Sequence, residues 1–444
     1  MRGGIIALLR FILRIFFRRV EVVGQAGIPA GGPLLVVLNH PNGLIDPLFI
    51  LCLAPRPVSF LAKAPLFKMP VVGWFARTLD SIPVYRHQDA GSDPSKNREM
   101  FAQVRAHLGA GGAVAIFPEG TSHSDPKLKP LRTGAARIAL GVASDAPLQI
   151  LPAGLFYTAK DTFRSSALLC FGAPFAVASA QLDGAGEPAP DAVEALTLRI
   201  ADALGHVTLQ ADAHDAHDLV ARTERILASE RRPHNAAPPP ELADEFALRR
   251  RLTEGYAELS ARAPERLERL RRRILHYEER LVGAGIDPWE LPVGRLGILR
   301  VLAATGALML RFLLLLPLGV PGLVLHFLPY RLIGLLARRA VGRNADVLAT
   351  AKAIGAMLLL PLTWIVAGVI AGRLAGPVVG GIALLFAPAS GYAALRLSEL
   401  ADRAAGSARA LLLWLVGRQK FLHLQRERRE IRAELIALAD ELRV

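Results

Sequence analysis

His40 and Asp46 stand on either side of a short polar turn in the run LLVVLNHPNGLIDPLFI (34–50), where an apolar strand pattern ends and an apolar helix pattern begins. A histidine near neutral pH suits proton removal from a hydroxyl, and a neighbouring carboxylate holds its tautomer and stabilises the imidazolium. Residues six apart on a regular helix point roughly 240° from one another, so the pair cannot meet on one helix. Pro41, Asn42 and Gly43 supply the turn that folds His40 back over Asp46. The competing reading of Asp46 is a helix cap with Pro47 in the first turn.

A second strand pattern runs into AVAIFPEGTSH (113–123). There Gly120 lets backbone amides approach an anion or polar headgroup, and Glu119 is able to accept hydrogen bonds from substrate hydroxyls. Otherwise the block is a strand-to-loop turn with Glu119 in solvent. Between the two clusters, GWFARTLDSIPVYR (73–86) ends on Arg86, whose planar fork suits a phosphate and equally suits an exposed strand end. The HDAHD run of His214, Asp215, His217 and Asp218 lies on a polar helix pattern and reads as a solvated face, so no metal is expected. Cys52 and Cys170 sit inside apolar runs, which gives no disulfide framework.

The elements that must carry these residues alternate. Strand patterns cover Leu34–Leu38, Val58–Leu61, Ser81–Tyr85, Ala113–Phe117, Ile150–Phe156 and Ala167–Phe171, with helix patterns such as Lys96–Leu108 and Thr133–Val142 between them. This predicts an α/β domain over 24–180. Ahead of it, residues 1–23 place Arg10, Arg14 and Arg18 at steps of four opposite Ile6, Leu9, Leu13, Phe16 and Phe17. That pattern predicts an amphipathic helix at a membrane interface, or else a packed surface helix.

Residues 181–290 form a charged helical region, broken at AAPPPELADE (236–245). The membrane region covers 291–398, with spans expected at 353–371 and 376–395, and 399–444 is expected as a basic amphipathic helix. The stretch 296–328 is expected as a re-entrant or interfacial hairpin, because PLGVPG (317–322) should break a helix. Arg331, Arg338, Arg339, Arg343 and Lys352 mark the following loop as cytoplasmic, and the hairpin keeps the α/β domain on that face. Hydrophobic content of 52% and a formal net charge of +14 fit membrane lipids and phosphate-bearing substrates. With aromatics at 6% and no nucleic-acid-binding signature, nucleic acid is not an expected partner.

Over residues 20–174 these blocks, in this order, resemble the glycerolipid acyltransferase superfamily, which includes lysophosphatidate and glycerol-3-phosphate acyltransferases. NHPNGLIDP looks like its histidine–aspartate motif, Gly73–Arg86 its second block, FPEGTSH its third and ILPAGLF, with Pro152, its fourth; AKAPLFKMPVVG (62–73) and LRTGAARIA (131–139) are also similar. Five residues separate His40 from Asp46, where the commonest form has four. The longer form resembles a sub-group that takes glycerol-3-phosphate or dihydroxyacetone phosphate and carries a helical, membrane-embedded extension.

The resemblance implies an α/β catalytic domain followed by a helical region and C-terminal transmembrane helices. It implies transfer of a fatty acyl group from acyl-CoA or acyl carrier protein to one of those acceptors, with lysophosphatidate as the alternative acceptor and no further cofactor. His40 would be the base and Asp46 its orienting partner. Arg86 would bind phosphate, Glu119, Gly120 and Thr121 would hold the glycerol part and phosphate, and Lys63, Lys129 and Arg132 are further phosphate candidates. Direct attack needs no acyl-enzyme, and no serine or cysteine stands where one would form. A lipid-binding scaffold would not need histidine, aspartate and the EGT turn together, and a thioesterase would not need an anionic acceptor.

Overall fold

The computed structural model describes residues 2–43, 45–68, 70–84, 94–123, 125, 127–160, 162–210, 214–231, 241–286, 288, 298–341 and 345–442. Their contacts divide into two units, Met1–Gln210 with a short segment Asn344–Thr350, and Ala211–Arg343 with Ala351–Val444.

In the first unit eight strands form a sheet: β1 (Arg19–Val23), β2 (Leu34–Leu38), β3 (Ser59–Lys63), β4 (Ile82–Val84), β5 (Ala113–Ile116), β6 (Leu148–Tyr157), β7 (Ser166–Phe171) and β8 (Phe175–Val177). Their order is β1-β7-β6-β2-β5-β3-β4, with β8 also paired to β6. Every residue of β2 is buried, as a strand covered on both faces should be. β2 runs parallel to both neighbours, β5 and β6, with Val37 opposite Ile116 on one side and Pro152 on the other. β7 returns antiparallel along the closing half of β6 and β8 along its opening residues.

The strands expected from the sequence are all present, and two were missed. β1 reads RVEVV, with charge inside the run, and pairs only with β7; β8 has three residues. Neither offers a sustained apolar pattern.

Helices α1 (Arg2–Phe16), α2 (Ile45–Leu53), α3 (Pro70–Thr78), α4 (Pro94–Gly109), α5 (Gly134–Leu140) and α6 (Pro190–Val207) complete this unit. α1 packs on the domain, as the alternative reading expected. Ile5, Leu9, Leu13 and Phe16 form a buried stripe at helical spacing, while Leu8 and Phe11 remain exposed. Arg10, expected among lipid headgroups, donates from Nε to the Cys52 carbonyl at 2.6 Å. Arg164 caps the helix end, giving Nη1 to the carbonyls of Arg14, Ile15 and Phe17 at 3.1–3.3 Å.

α6 also belongs to this unit, so the α/β domain reaches past the expected boundary at 180. The reason is close packing. A Cβ on Gly154 of β6 would run into the backbone carbonyl of Val207, the last residue of α6.

The second unit opens with α7 (His214–Arg231), α8 (Leu242–Arg262) and α9 (Pro264–Gly283), joined by the terminal α13 (Arg418–Leu442). Ile226, Ile274, Tyr277, Phe421 and Ile431 lie in their shared core. Glu224 and Arg249 form a buried ion pair, with Nε at 2.9 Å. The expected charged helix pair is α8 and α9, separated at Ala263–Pro264.

Three further helices, α10 (Ile298–Val341), α11 (Ala345–Ala375) and α12 (Pro377–Val416), contain segments long and apolar enough to cross a membrane: Gly306–Ala340, Ala351–Ala375 and Pro377–Asp402. The hairpin expected at 296–328 is not formed. α10 continues through Pro317, Pro321 and Pro329 as one helix. Neighbouring helices support a proline-bearing helix of this kind. Gly322 lies against the backbone of Ser390 and the methyl of Ala394 in α12, a small-residue contact. His326 of α10 gives Nδ1 to the Gly322 carbonyl at 2.8 Å and accepts the Trp364 indole N–H of α11 at 2.8 Å. α12 also runs past the expected boundary at 398 to Val416, before the terminal basic helix begins.

Replacing Gly154 with Ala should force β6 and α6 apart and lower stability by about 1–3 kcal/mol. Thermal unfolding of the detergent-purified protein measures this, and an unchanged melting temperature would contradict the close approach.

Candidate active site

Because β2 and β5 are adjacent and parallel, the loops that follow them leave the same end of the sheet, the usual place for sites in α/β folds. β2 delivers Asn39 and His40; β5 delivers Phe117 and the turn after it. Asn39 extends the β2–β6 pairing with its side chain, donating Nδ2–H to the Leu155 carbonyl at 3.0 Å and accepting the Leu155 N–H at 2.7 Å. That fixes the residue directly before His40.

The turn folds His40 onto Asp46 as expected, with Nδ1 2.8 Å from Oδ2. Asp46 is fully buried, whereas 15% of the His40 side chain remains open. A carboxylate can only accept, so this contact assigns the proton to Nδ1 and leaves the Nε2 lone pair for a substrate. The imidazole stacks on Phe117 with 4.0 Å between centroids and 14° between planes. His40 and Asn39 line a recess with His123, Lys127, Leu128 and Leu209.

The helix-cap reading of Asp46 is not met, since Asp46 is the second residue of α2 and not the residue before it. Its Oδ2 instead reaches back to accept the Asn42 N–H at 2.7 Å, closing the turn ahead of α2. Its Oδ1 accepts the Tyr157 hydroxyl at 2.6 Å. Tyr157 holds its proton well above the usual phenol range, first because it is buried and then because of the Asp46 charge and hydrogen bond. It is therefore a donor at any pH at which a histidine base operates.

Glu119 faces inward. It is buried, and Oε1 accepts the His40 backbone N–H at 2.9 Å, while Oε2 accepts the Lys129 N–H at 2.9 Å and pairs with His123 Nε2. His123 in turn donates its backbone N–H to the His40 carbonyl at 3.1 Å. Neither sequence reading of Glu119 holds. It is not solvated, and a side chain with no exposed surface whose oxygens are taken by these groups does not hold substrate hydroxyls; its contacts tie the two motif loops together instead. Gly120 has φ of 72° and lies against the Arg132 side chain, so the turn needs glycine for conformation and for space.

Thr121 is exposed, its hydroxyl facing the Ser122 carbonyl at 3.4 Å. Lys129 forms a surface pair with Asp125 at 3.1 Å, and Arg132 is exposed. Arg86, the side chain of Lys63 at the end of β3, and the side chains of His214, Asp215 and His217 lie outside the described residues.

The sequence reading gave no role to His123, Tyr157 or Lys160. Lys160 Nζ reaches the Pro41 carbonyl at 3.2 Å, and its own carbonyl accepts Asn42 Nδ2–H at 3.1 Å. His123 had a local signal, four residues beyond Glu119 in the same block. Tyr157 and Lys160 arrive through sheet pairing alone. Burial pushes the Cys52 thiol up to about 11, against a lowering influence of Arg10, so it is not a thiolate nucleophile near neutral pH.

Fold and site define a class: a mixed α/β sheet with a histidine–carboxylate pair at the carboxyl ends of its parallel strands. Residues 19–155 match the Acyltransferase family model, and residues 232–443 match the model of the glycerol-3-phosphate acyltransferase 2 C-terminal domain. The chain carries an acyltransferase domain, followed by a region that matches that C-terminal domain.

It is 25% identical to an uncharacterized acyltransferase of Schizosaccharomyces pombe, over 63% of this chain and 53% of that one. It is 29% identical to glycerol-3-phosphate O-acyltransferase 2 of Saccharomyces cerevisiae, over 61% of this chain and 37% of that one. The chain thus spans about half or less of the length of these relatives. The crystal structure of the 1-acyl-sn-glycerophosphate (LPA) acyltransferase from Thermotoga maritima aligns at TM-score 0.35 with 20% identity, covering 46% of this chain and 79% of that one.

Glu119→Gln keeps the shape of the side chain but turns an amide donor toward groups that already donate. It should lower the unfolding free energy by about 1–3 kcal/mol. Thr121→Ala, on an exposed residue, should stay within about 0.5 kcal/mol of wild type. Equal melting temperatures for the two variants would show that Glu119 does not anchor the loops.

Proposed function

We propose that the protein transfers a fatty acyl group from an acyl thioester, acyl-CoA or acyl carrier protein, to a hydroxyl of glycerol-3-phosphate. The observation that carries this reading is the 2.8 Å contact between His40 Nδ1 and buried Asp46, which leaves Nε2 as a base beside the recess. The acceptor is argued from the match of residues 232–443 to a glycerol-3-phosphate acyltransferase C-terminal domain.

In the reaction His40 Nε2 takes the hydroxyl proton as the oxygen attacks the thioester carbonyl. Asp46 stabilises the resulting imidazolium. Collapse of the tetrahedral intermediate forms the ester C–O bond and breaks the C–S bond, and the departing thiolate takes the proton back from His40. Arg86 is proposed to pair with the acceptor phosphate through its fork, with Lys63, Lys129 and Arg132 as neighbouring cations and Gly120 and Thr121 along the glycerol part.

Three apolar helices make this a membrane protein. Catalysis is proposed to occur on the cytoplasmic face, where the thioester donor is found, with the exposed Leu8 and Phe11 of α1 against lipid. Because α10 is one helix and not a hairpin, this places the basic stretch at Arg338 and Arg339 on the opposite face, against the expectation drawn from loop charge. Proteolysis of the α/β unit in inverted but not in right-side-out vesicles supports this orientation, and the reverse pattern rejects it.

His40→Ala should lose at least about 10²-fold in acyl transfer while its melting temperature is kept. The assay uses palmitoyl-CoA with glycerol-3-phosphate, dihydroxyacetone phosphate or lysophosphatidate offered separately. Activity within about tenfold of wild type would remove His40 from the mechanism, and preference for lysophosphatidate would replace the acceptor.

Arg86→Ala should raise the Michaelis constant of the phosphorylated acceptor and spare that of the donor, and Arg86→Lys should restore only part. Unchanged acceptor saturation would place the phosphate site elsewhere.

A further inference from the structure

We propose that Tyr157 is a positioning residue of the base, holding Asp46 Oδ1 so that Oδ2 remains on His40 Nδ1. This rests on the reading of His40 as general base and adds a third member to the pair.

The geometry separates the ring of Tyr157 from its hydroxyl. The ring belongs to an aromatic group: it stacks on Phe17 at 5.6 Å and meets Phe49 edge-on at 5.7 Å. Phenylalanine would fill that space as well. The hydroxyl has a different task, since the partner it meets is the catalytic carboxylate, at 2.6 Å.

Among the described residues, the donors on Asp46 are His40 Nδ1, the Asn42 N–H and the Tyr157 hydroxyl, and only Tyr157 engages Oδ1. Without it a buried oxygen loses its partner, which is costly, and the carboxylate is free to turn about its own axis. A carboxylate that turns part of the time holds the imidazole in the tautomer that exposes Nε2 for less of the time, which lowers kcat, while in the molecules that remain paired its charge on the imidazolium is undiminished.

The chain of support reaches the N-terminus. Phe17 follows α1 directly, and Phe49 sits one turn beyond Asp46 on α2. Both residues are buried. α1 therefore braces the base through Phe17, Tyr157 and Asp46.

Tyr157 also tunes the charge that His40 feels. Its hydrogen bond draws negative charge toward Oδ1, away from the imidazolium that forms during proton transfer. The other titratable groups around this cluster, among the described residues, are Glu119 behind the His40 backbone, His123 paired with it, Lys160 at the Pro41 carbonyl, and Asp125 and Lys127 on the wall of the recess. Removing the phenol leaves those in place, so a shift in pH dependence reports on the Tyr157 bond.

The test uses the full-length protein in detergent with palmitoyl-CoA and glycerol-3-phosphate. Tyr157→Phe should lower kcat about 10- to 100-fold, the worth of a hydrogen bond to a charged group, with both Michaelis constants within about twofold. The acid limb of its kcat–pH profile should move to higher pH, because the less compensated carboxylate stabilises the imidazolium. Should Tyr157→Phe fold poorly, 3-fluorotyrosine placed at position 157 keeps the hydroxyl and makes it a stronger donor; its acid limb should move to lower pH.

A Tyr157→Phe variant with wild-type kcat and profile overturns the proposal. So does a loss matched by an equal loss of folded protein with the limb unmoved, or a fluorotyrosine limb that stays in place. His40→Ala run alongside keeps the two claims apart: an active His40→Ala rejects the base itself, whereas an inactive one with an indifferent Tyr157 rejects only this inference.

Discussion

Asp46 places a carboxylate where water does not reach, and such a group is tolerated only when donors replace the lost solvation. The donors come from distant parts of the chain. His40 arrives from the loop after β2, Asn42 from the turn itself, and Tyr157 from the end of β6. Meeting that requirement fixes much else. β2 must lie next to β6 and parallel to it, α2 must start immediately after the turn, and the chain leaving α1 must pack Phe17 over the phenol ring. The structure around the carboxylate also explains why only one face of His40 is left for chemistry.

A second anionic side chain repeats the arrangement on the other side of β2. Glu119 is buried at the end of β5 and is compensated by the His40 backbone, the Lys129 backbone and His123. One carboxylate thus orients the imidazole ring and the other anchors its peptide. The parallel pairing of β2 and β5 brings the two motif loops together, although 79 residues separate His40 from Glu119. The apolar helices follow a different rule. In lipid their backbones come close through small residues such as Gly322 and Ser390, and a polar tie, His326 to Trp364, is satisfied within the bundle.

Much of this was legible because the signals were local. His40 and Asp46 were paired from a turn of three residues, and the strands from apolar runs between breakers. The third block was placed at a strand end because AVAIF runs straight into Pro118. What escaped depended on tertiary contact. Nothing near Tyr157 announces a hydroxyl 111 residues from its acceptor, and Glu119, expected on substrate hydroxyls, instead meets the His40 and Lys129 backbones where two loops close over it. The stripe of α1 was visible, but that the domain covers it, and that Arg164 caps it, required the fold. PLGVPG misled for the opposite reason. A proline rule learned from isolated helices was overridden by a neighbouring helix packed on Gly322.

The central claim is that the acceptor hydroxyl attacks the thioester directly, activated by a histidine that Asp46 orients. Rapid-quench single-turnover transfer, with excess protein over palmitoyl-CoA labelled in its acyl group, tests this most directly. With glycerol-3-phosphate present, label should pass from the thioester to acyl-glycerol-phosphate in one phase, with none on the protein. Labelled protein appearing before product would contradict the account, as would free fatty acid released at the same rate whether or not the acceptor is present.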